Sequence, residues 1–134
     1  MSLSGLNVLI VEDEPLIALD IAETLETAGA CVAGPIRSLK SAFEALEACG
    51  AADTWDAVVL DYNLLDGTSE PFGKALKLRN IPFLIHTGNV EFLSGLAMHL
   101  NVPLVGKPAT DAALTTAVVE AIRFSSCGAT LEQG

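Results

Sequence analysis

Positive charge is scarce in this chain: seven Lys and Arg against 17 Asp and Glu give a net charge of −10 over 134 residues. A nucleic-acid-binding surface needs clustered cations to displace phosphate counterions, and these few are scattered. The composition therefore argues against direct DNA or RNA contact. Long apolar runs are also missing, although hydrophobic residues make up 51%. Nothing approaches the ~20 apolar residues that cross a bilayer, so no membrane insertion is expected. No cationic stretch precedes an apolar segment near Met1, which argues against a secretory leader and for a cytoplasmic setting. Cysteine is limited to Cys31, Cys49 and Cys127, an odd number without metal-ligand spacing. These read as buried or incidental thiols of a reducing compartment. Trp55 and Tyr62, from a small aromatic complement, read as packing residues. The length fits one domain with a substantial core.

What is present is an alternation. Short apolar bursts, "NVLIV" (7–11), "CVAG" (31–34), "DAVVLD" (56–61), "PFLIHT" (82–87) and "VPLVG" (102–106), are separated by amphipathic stretches of helical length. After the first burst, Asp13, Glu14 and Pro15 form a helix start. Ile17, Ile21 and Leu25 then recur at helical spacing, and Gly29 is a stop. Ser38 can cap a second helix with Leu39, Phe43 and Leu46 on its apolar face. Further helices are expected at about 69–79, 90–100 and 110–123. Five strands alternating with five helices, without a hairpin signal, predict βαβ units and a parallel sheet covered on both faces. The domain is expected over 5–123, with 124–134 a tail or linker.

Polar residues interrupt this pattern at strand ends. Glu12 and Asp13 follow the first strand, Asp61 ends the third, Thr87 the fourth, and Lys107 follows the fifth. In an open α/β sheet these ends share one edge, where ligands bind. Clustered carboxylates repel one another, and a hard divalent cation such as Mg²⁺ resolves that conflict. A carboxylate beside Mg²⁺ can serve as a nucleophile toward a phosphoryl group, with the Lys107 ammonium adding positive charge. Taken singly, Glu12 to Glu14 also fit helix N-terminal acids, and Asp61 an Asx turn. Their joint placement with Thr87 and Lys107 favours a site. His86 alternates away from Thr87 on its strand and reads as a satisfied, partly buried histidine.

The motifs "VEDEP", "VVLDYNLLDG", "HTG" and "GKP", in this order and at these strand ends, resemble the receiver domains of two-component response regulators over residues 5 to 123. The resemblance implies a flavodoxin-like, doubly wound five-stranded parallel sheet in the order 2-1-3-4-5. It implies Asp61 as phosphoacceptor, Thr87 as the switch hydroxyl and Lys107 on the phosphoryl oxygens. Mg²⁺ would be held by Asp13 and Asp61, by Glu12 through water, and by the Asn63 backbone carbonyl. The Lys107–Pro108 bond is expected to be cis, Gly88 to leave the acceptor accessible, and Asn63 and Asn89 to tune phosphoryl lifetime. A histidine kinase or histidine phosphotransfer protein would be the donor. A downstream protein partner, or a phosphorylation-dependent dimer, would read the result.

The chain also departs from that pattern. Leu104 stands where the family carries Tyr or Phe, and the loop after Asp61 is short and lacks a proline. Both features resemble a subgroup without the switch aromatic. Two other readings follow from these residues. A degenerate receiver would act as a phosphorylation-independent interaction module. A haloacid-dehalogenase-like phosphatase uses the same residue types, but its D-x-D motif follows the first strand, where this chain has Glu12-Asp13. A phosphoacceptor signalling domain, rather than an enzyme, is the expected identity.

Overall fold

The computed structural model describes residues 3–48 and 55–133, for 125–133 the backbone alone. Its elements are β1 (Asn7–Val11), α1 (Pro15–Thr27), β2 (Cys31–Ile36), α2 (Leu39–Ala48), β3 (Ala57–Asp61), β4 (Asn63–Leu64) and β5 (Gly67–Thr68). These are followed by α3 (Glu70–Leu78), β6 (Phe83–Thr87), α4 (Val90–Leu100), β7 (Leu104–Gly106) and α5 (Asp111–Gln133). The main sheet runs β2-β1-β3-β6-β7, with every neighbouring pair parallel. With the two short strands β4 and β5 set aside, this is the expected order 2-1-3-4-5.

Alternation along the strands creates two apolar layers. Leu9, Val11, Val58, Leu60, Phe83 and Ile85 face the side packed by Leu46 of α2, Phe72 of α3 and Leu93 of α4. Val8, Ile10, Val59 and Leu84 face the other side, against Ile21 and Leu25 of α1 and Leu114 and Val118 of α5. Each such side chain contributes roughly 1.5–3 kcal/mol through burial. β3 and β6 are buried along their whole length, which is why each opens on a continuous apolar run before its polar C-terminal end. Trp55 and Tyr62 pack against the first layer, as expected. Cys31 is free and exposed rather than buried. Cys49 and the Cys127 side chain lie outside the described residues.

Local chemistry sets the helix ends. Pro15 opens α1, and the chain leaves it through Gly29 at φ 105°. Ser38 Oγ accepts from the Ser41 N–H at 3.1 Å, capping α2 as expected. A second cap comes from far along the chain: Asp66 accepts from the Leu39 and Lys40 N–H groups at 2.7 and 3.0 Å. These bonds hold its carboxyl below the usual carboxylate range.

Three features differ from the sequence-based expectation. The stretch after Asp61 forms an antiparallel hairpin, Asn63 to Thr68 and Leu64 to Gly67, where no hairpin signal was read. Its turn carries Asp66, so the short "DYNLLDG" loop is shaped by capping α2. Second, β2 extends to Ile36, past the expected 34. Third, α5 continues to Gln133 rather than ending near 123.

Gly34 is the most constrained glycine among the described residues. It lies at φ +94°, and an added Cβ would sit 2.6 Å from the Ile10 backbone oxygen. Left-handed strain alone costs about 1–2 kcal/mol. The Gly34→Ala variant is therefore expected to lose more than about 2 kcal/mol in urea denaturation, because the obstructing atom is backbone.

Candidate functional site

The parallel sheet delivers its polar strand ends to one edge. β1 runs into Glu12 and Asp13, β3 ends on Asp61, β6 ends on Thr87, and β7 hands over directly to Lys107. Carboxylate oxygens of Glu12, Asp13 and Asp61 lie within 4.8 Å of one another. Lys107 Nζ donates to Asp61 Oδ1 at 2.9 Å and stands 2.9 Å from Glu12 Oε1. The second contact has the distance of an ion pair without the angle of a hydrogen bond, and it acts as a charge contact. The other Glu12 oxygen, Oε2, accepts from the Glu14 N–H at 3.1 Å.

Thr87 is joined to the same edge through backbone. Its carbonyl accepts from the Lys107 N–H at 2.8 Å, which ties the ends of β6 and β7 together. Its hydroxyl oxygen accepts from the Asn89 N–H at 3.0 Å. The hydroxyl proton is then available to a further acceptor. The Asn89 side chain meanwhile accepts from the Phe92 N–H at 3.3 Å and caps α4. Gly88 has open space around the position a Cβ would take. The Lys107–Pro108 bond is cis. Asn63 is exposed, two residues beyond Asp61 at the start of β4.

The electrostatics follow from burial. Glu12 and Asp61 are 1% and 5% exposed. Burial pushes the Asp61 carboxyl up, Lys107 opposes this, Glu12 adds to it, and the result is about 7. Burial pulls Lys107 down, but its hydrogen bond to Asp61, its close contact with Glu12 and the charges of both outweigh it. The ammonium is held above its ordinary range. With all four groups ionised, three carboxylates and one ammonium leave a formal charge of −2 on a buried cluster. An all-oxygen donor set with two uncompensated negative charges fits a hard divalent cation.

His86 was expected to be satisfied and is not. It is 3% exposed, and neither ring nitrogen has a hydrogen-bond partner. Burial and the nearby Lys107 charge push it down to about 4, so the ring is neutral near pH 7. An unpartnered buried polar group costs about 1–3 kcal/mol. His86→Phe, which keeps a ring and removes both nitrogens, is expected to raise unfolding free energy by about 1 kcal/mol or more in urea titrations near pH 7. Apolar flanks hid this in the sequence, because periodicity assigns a face and not a partner. Leu104, at the position of the missing aromatic, is half-buried and packed against the first apolar layer.

No protein-family model matches the chain, and no curated protein matches it closely enough to count. Solved structures do. The response-regulator receiver domain of PhyR from Erythrobacter litoralis is 26% identical, with TM-score 0.73, over 90% of this chain and 92% of that one. A CheY-like receiver domain from Methylobacillus flagellatus is 27% identical, with TM-score 0.73, over 87% and 98%. The receiver domain of the sensor histidine kinase PA1611 from Pseudomonas aeruginosa PAO1 has TM-score 0.75 at 20% identity, over 90% and 99%. That domain was solved with a magnesium ion coordinated in its active-site cleft.

Proposed function

We propose that this chain, whose fold and solved neighbours are those of response-regulator receiver domains, accepts a phosphoryl group on Asp61 from a phosphohistidine donor. The observation that carries this reading is the juxtaposition of Asp61 with Glu12, Asp13 and Lys107 at the shared strand edge. Glu12, Asp13, Asp61 and the Asn63 carbonyl would hold Mg²⁺. The ion would offset carboxylate repulsion and the charge of the incoming phosphoryl oxygens.

The protein's own groups do the rest. An Asp61 oxygen forms the new P–O bond as the P–N bond to the donor imidazole breaks. The imidazole leaves with the bonding electron pair and takes a proton from solvent. Lys107 pairs with a phosphoryl oxygen in place of part of its present contact with Asp61, and the Thr87 hydroxyl donates to another. Those new contacts draw on groups tied to β6, β7 and the cap of α4, so the covalent state would bias that face toward one conformation. A histidine kinase or histidine phosphotransfer protein would supply the phosphoryl group in the cytoplasm. A protein partner, or a second copy of the chain, would read the outcome. With Leu104 at the usual aromatic position, that readout would run through the Thr87–Asn89 link to α4. We assign a signalling role rather than turnover.

Phosphoramidate, which carries the same P–N bond, and p-nitrophenyl phosphate separate this reading from a phosphatase. The expected result is one stable or slowly decaying adduct from phosphoramidate with Mg²⁺, and no sustained release of nitrophenol. Multiple turnovers of the ester would overturn it. A failure of phosphoramidate to modify the protein, while a control receiver is modified, would point to the phosphorylation-independent module.

A further inference from the structure

The hairpin after Asp61 carries the Asn63 carbonyl, the backbone ligand assigned to Mg²⁺, and it has little of its own to hold it in shape. β4 and β5 are two residues each, paired at Asn63 with Thr68 and at Leu64 with Gly67. Even a longer two-stranded hairpin is only marginally stable in water when nothing else supports it. Between Asn63 and Thr68, Leu64 alone is buried. The base is closed by the Ser69 N–H, which donates to the Tyr62 carbonyl at 2.7 Å.

The tip is closed from outside. Asp66 engages both carboxylate oxygens on α2, Oδ1 accepting from the Leu39 N–H at 2.7 Å and Oδ2 from the Lys40 N–H at 3.0 Å. Such bonds are charge-assisted and meet the positive end of the helix dipole. The turn also lies against α2, since a Cβ added at Gly67 would stand 3.3 Å from Leu39 Cδ1. The helix is itself fixed in the fold through buried Ala42 and Leu46. It already has a local cap in Ser38, which accepts from the Ser41 N–H. The bonds from Asp66 therefore do more than finish a helix: they fasten a short hairpin to a fixed body.

We propose that Asp66 is a positioning residue for the metal site, clamping the hairpin to α2 and so fixing the backbone that carries the Asn63 carbonyl. The inference rests on the reading of Glu12, Asp13, Asp61 and Asn63 as the Mg²⁺ ligands. It adds a residue that acts through the backbone alone.

Titration of MgCl₂ into the ¹⁵N-labelled chain tests it, with affinity read from saturable amide shifts at Asp13, Asp61 and Asn63. Asp66→Ala is expected to weaken Mg²⁺ about tenfold, the usual size of effect when a ligand loses its supporting partner. Hydrogen exchange at the Ser69 amide should quicken in the same variant. Ser38→Ala removes the other cap of α2 and keeps the clamp. It should lose resistance to urea, as Asp66→Ala does, while leaving Mg²⁺ affinity unchanged. Asp66→Asn is neutral like alanine but still accepts from helix N–H groups, so it should recover most of the affinity. The proposal is overturned if Asp66→Ala binds Mg²⁺ like the parent, or if Ser38→Ala weakens binding as much. It is also overturned if Asp66→Asn is as weak as Asp66→Ala, because lost charge would then account for the effect. A parent chain with no saturable shift would overturn the metal-site reading itself, and the proposal with it.

Discussion

Replacing Lys107 with alanine is expected to slow phosphoryl transfer to Asp61 by about 100-fold or more, the usual penalty for deleting one fixed donor at a developing charge. Lys107 is the only cationic side chain paired with a carboxylate of the cluster among the described residues, at 2.9 Å from both Glu12 and Asp61. Without it, two buried carboxylates face each other with nothing between them. Two effects then act in one direction. The transferring oxygens lose a counter-charge, and Asp61 loses the interaction that opposes its protonation, so less of it is ionised and nucleophilic. The check is the initial rate of adduct formation from acetyl phosphate at saturating Mg²⁺. Lys107→Arg should recover part of the rate, since charge returns with a different geometry. A rate within a few-fold of the parent would show that the ammonium serves folding alone.

The second large effect is on stability. Asp61→Asn is expected to stabilise the fold by about 2–4 kcal/mol at pH 8 without divalent ions, at 1.36 kcal/mol for each pKa unit. The carboxyl sits at about 7 in the folded chain against 3.8 without its surroundings. Between those values the folded state holds a proton that the unfolded state has released. The contribution of Asp61 to stability is therefore most favourable below about pH 4, falls as pH rises, and reaches its full deficit above pH 7. The amide carries no such burden, and Lys107 retains Glu12 as its counter-charge. The gain should shrink toward zero near pH 4, and Mg²⁺ should raise the parent more than the variant. Urea titrations at pH 8 and pH 4 decide the matter. A destabilised variant at pH 8 would mean that the Lys107–Asp61 bond outweighs desolvation.

Much of this architecture is legible in the residues because burial on both faces leaves a simple mark. β3 and β6 each open on an apolar run, and Asp61 and Thr87, which close the two strands, read as strand-end groups. Glu12, Asp13, Asp61 and Lys107 could thus be placed together from order alone, and the structure gathers the three carboxylates within 4.8 Å of one another with Lys107 in contact with two of them. The misses share a cause. The hairpin of β4 and β5 has only two residues per strand, too short for alternation to show, and its turn is held by Asp66 reaching Leu39 and Lys40. No local pattern signals a cap that arrives from 27 residues away. His86 failed similarly: strand alternation gave its face correctly, while the lack of a partner depends on what α1 and α5 bring to it. The extra length of α5 lies in a segment with little apolar periodicity, so the pattern that marks the rest of the helix stops short of it.

The central claim is that Asp61 is a Mg²⁺-dependent phosphoryl acceptor, and intact mass after incubation with acetyl phosphate tests it most directly. The account predicts a single added phosphoryl group that appears with Mg²⁺, disappears with a chelator, and is absent from Asp61→Asn. An unmodified mass beside a control receiver that is modified, together with no Mg²⁺-dependent beryllofluoride complex, would contradict it.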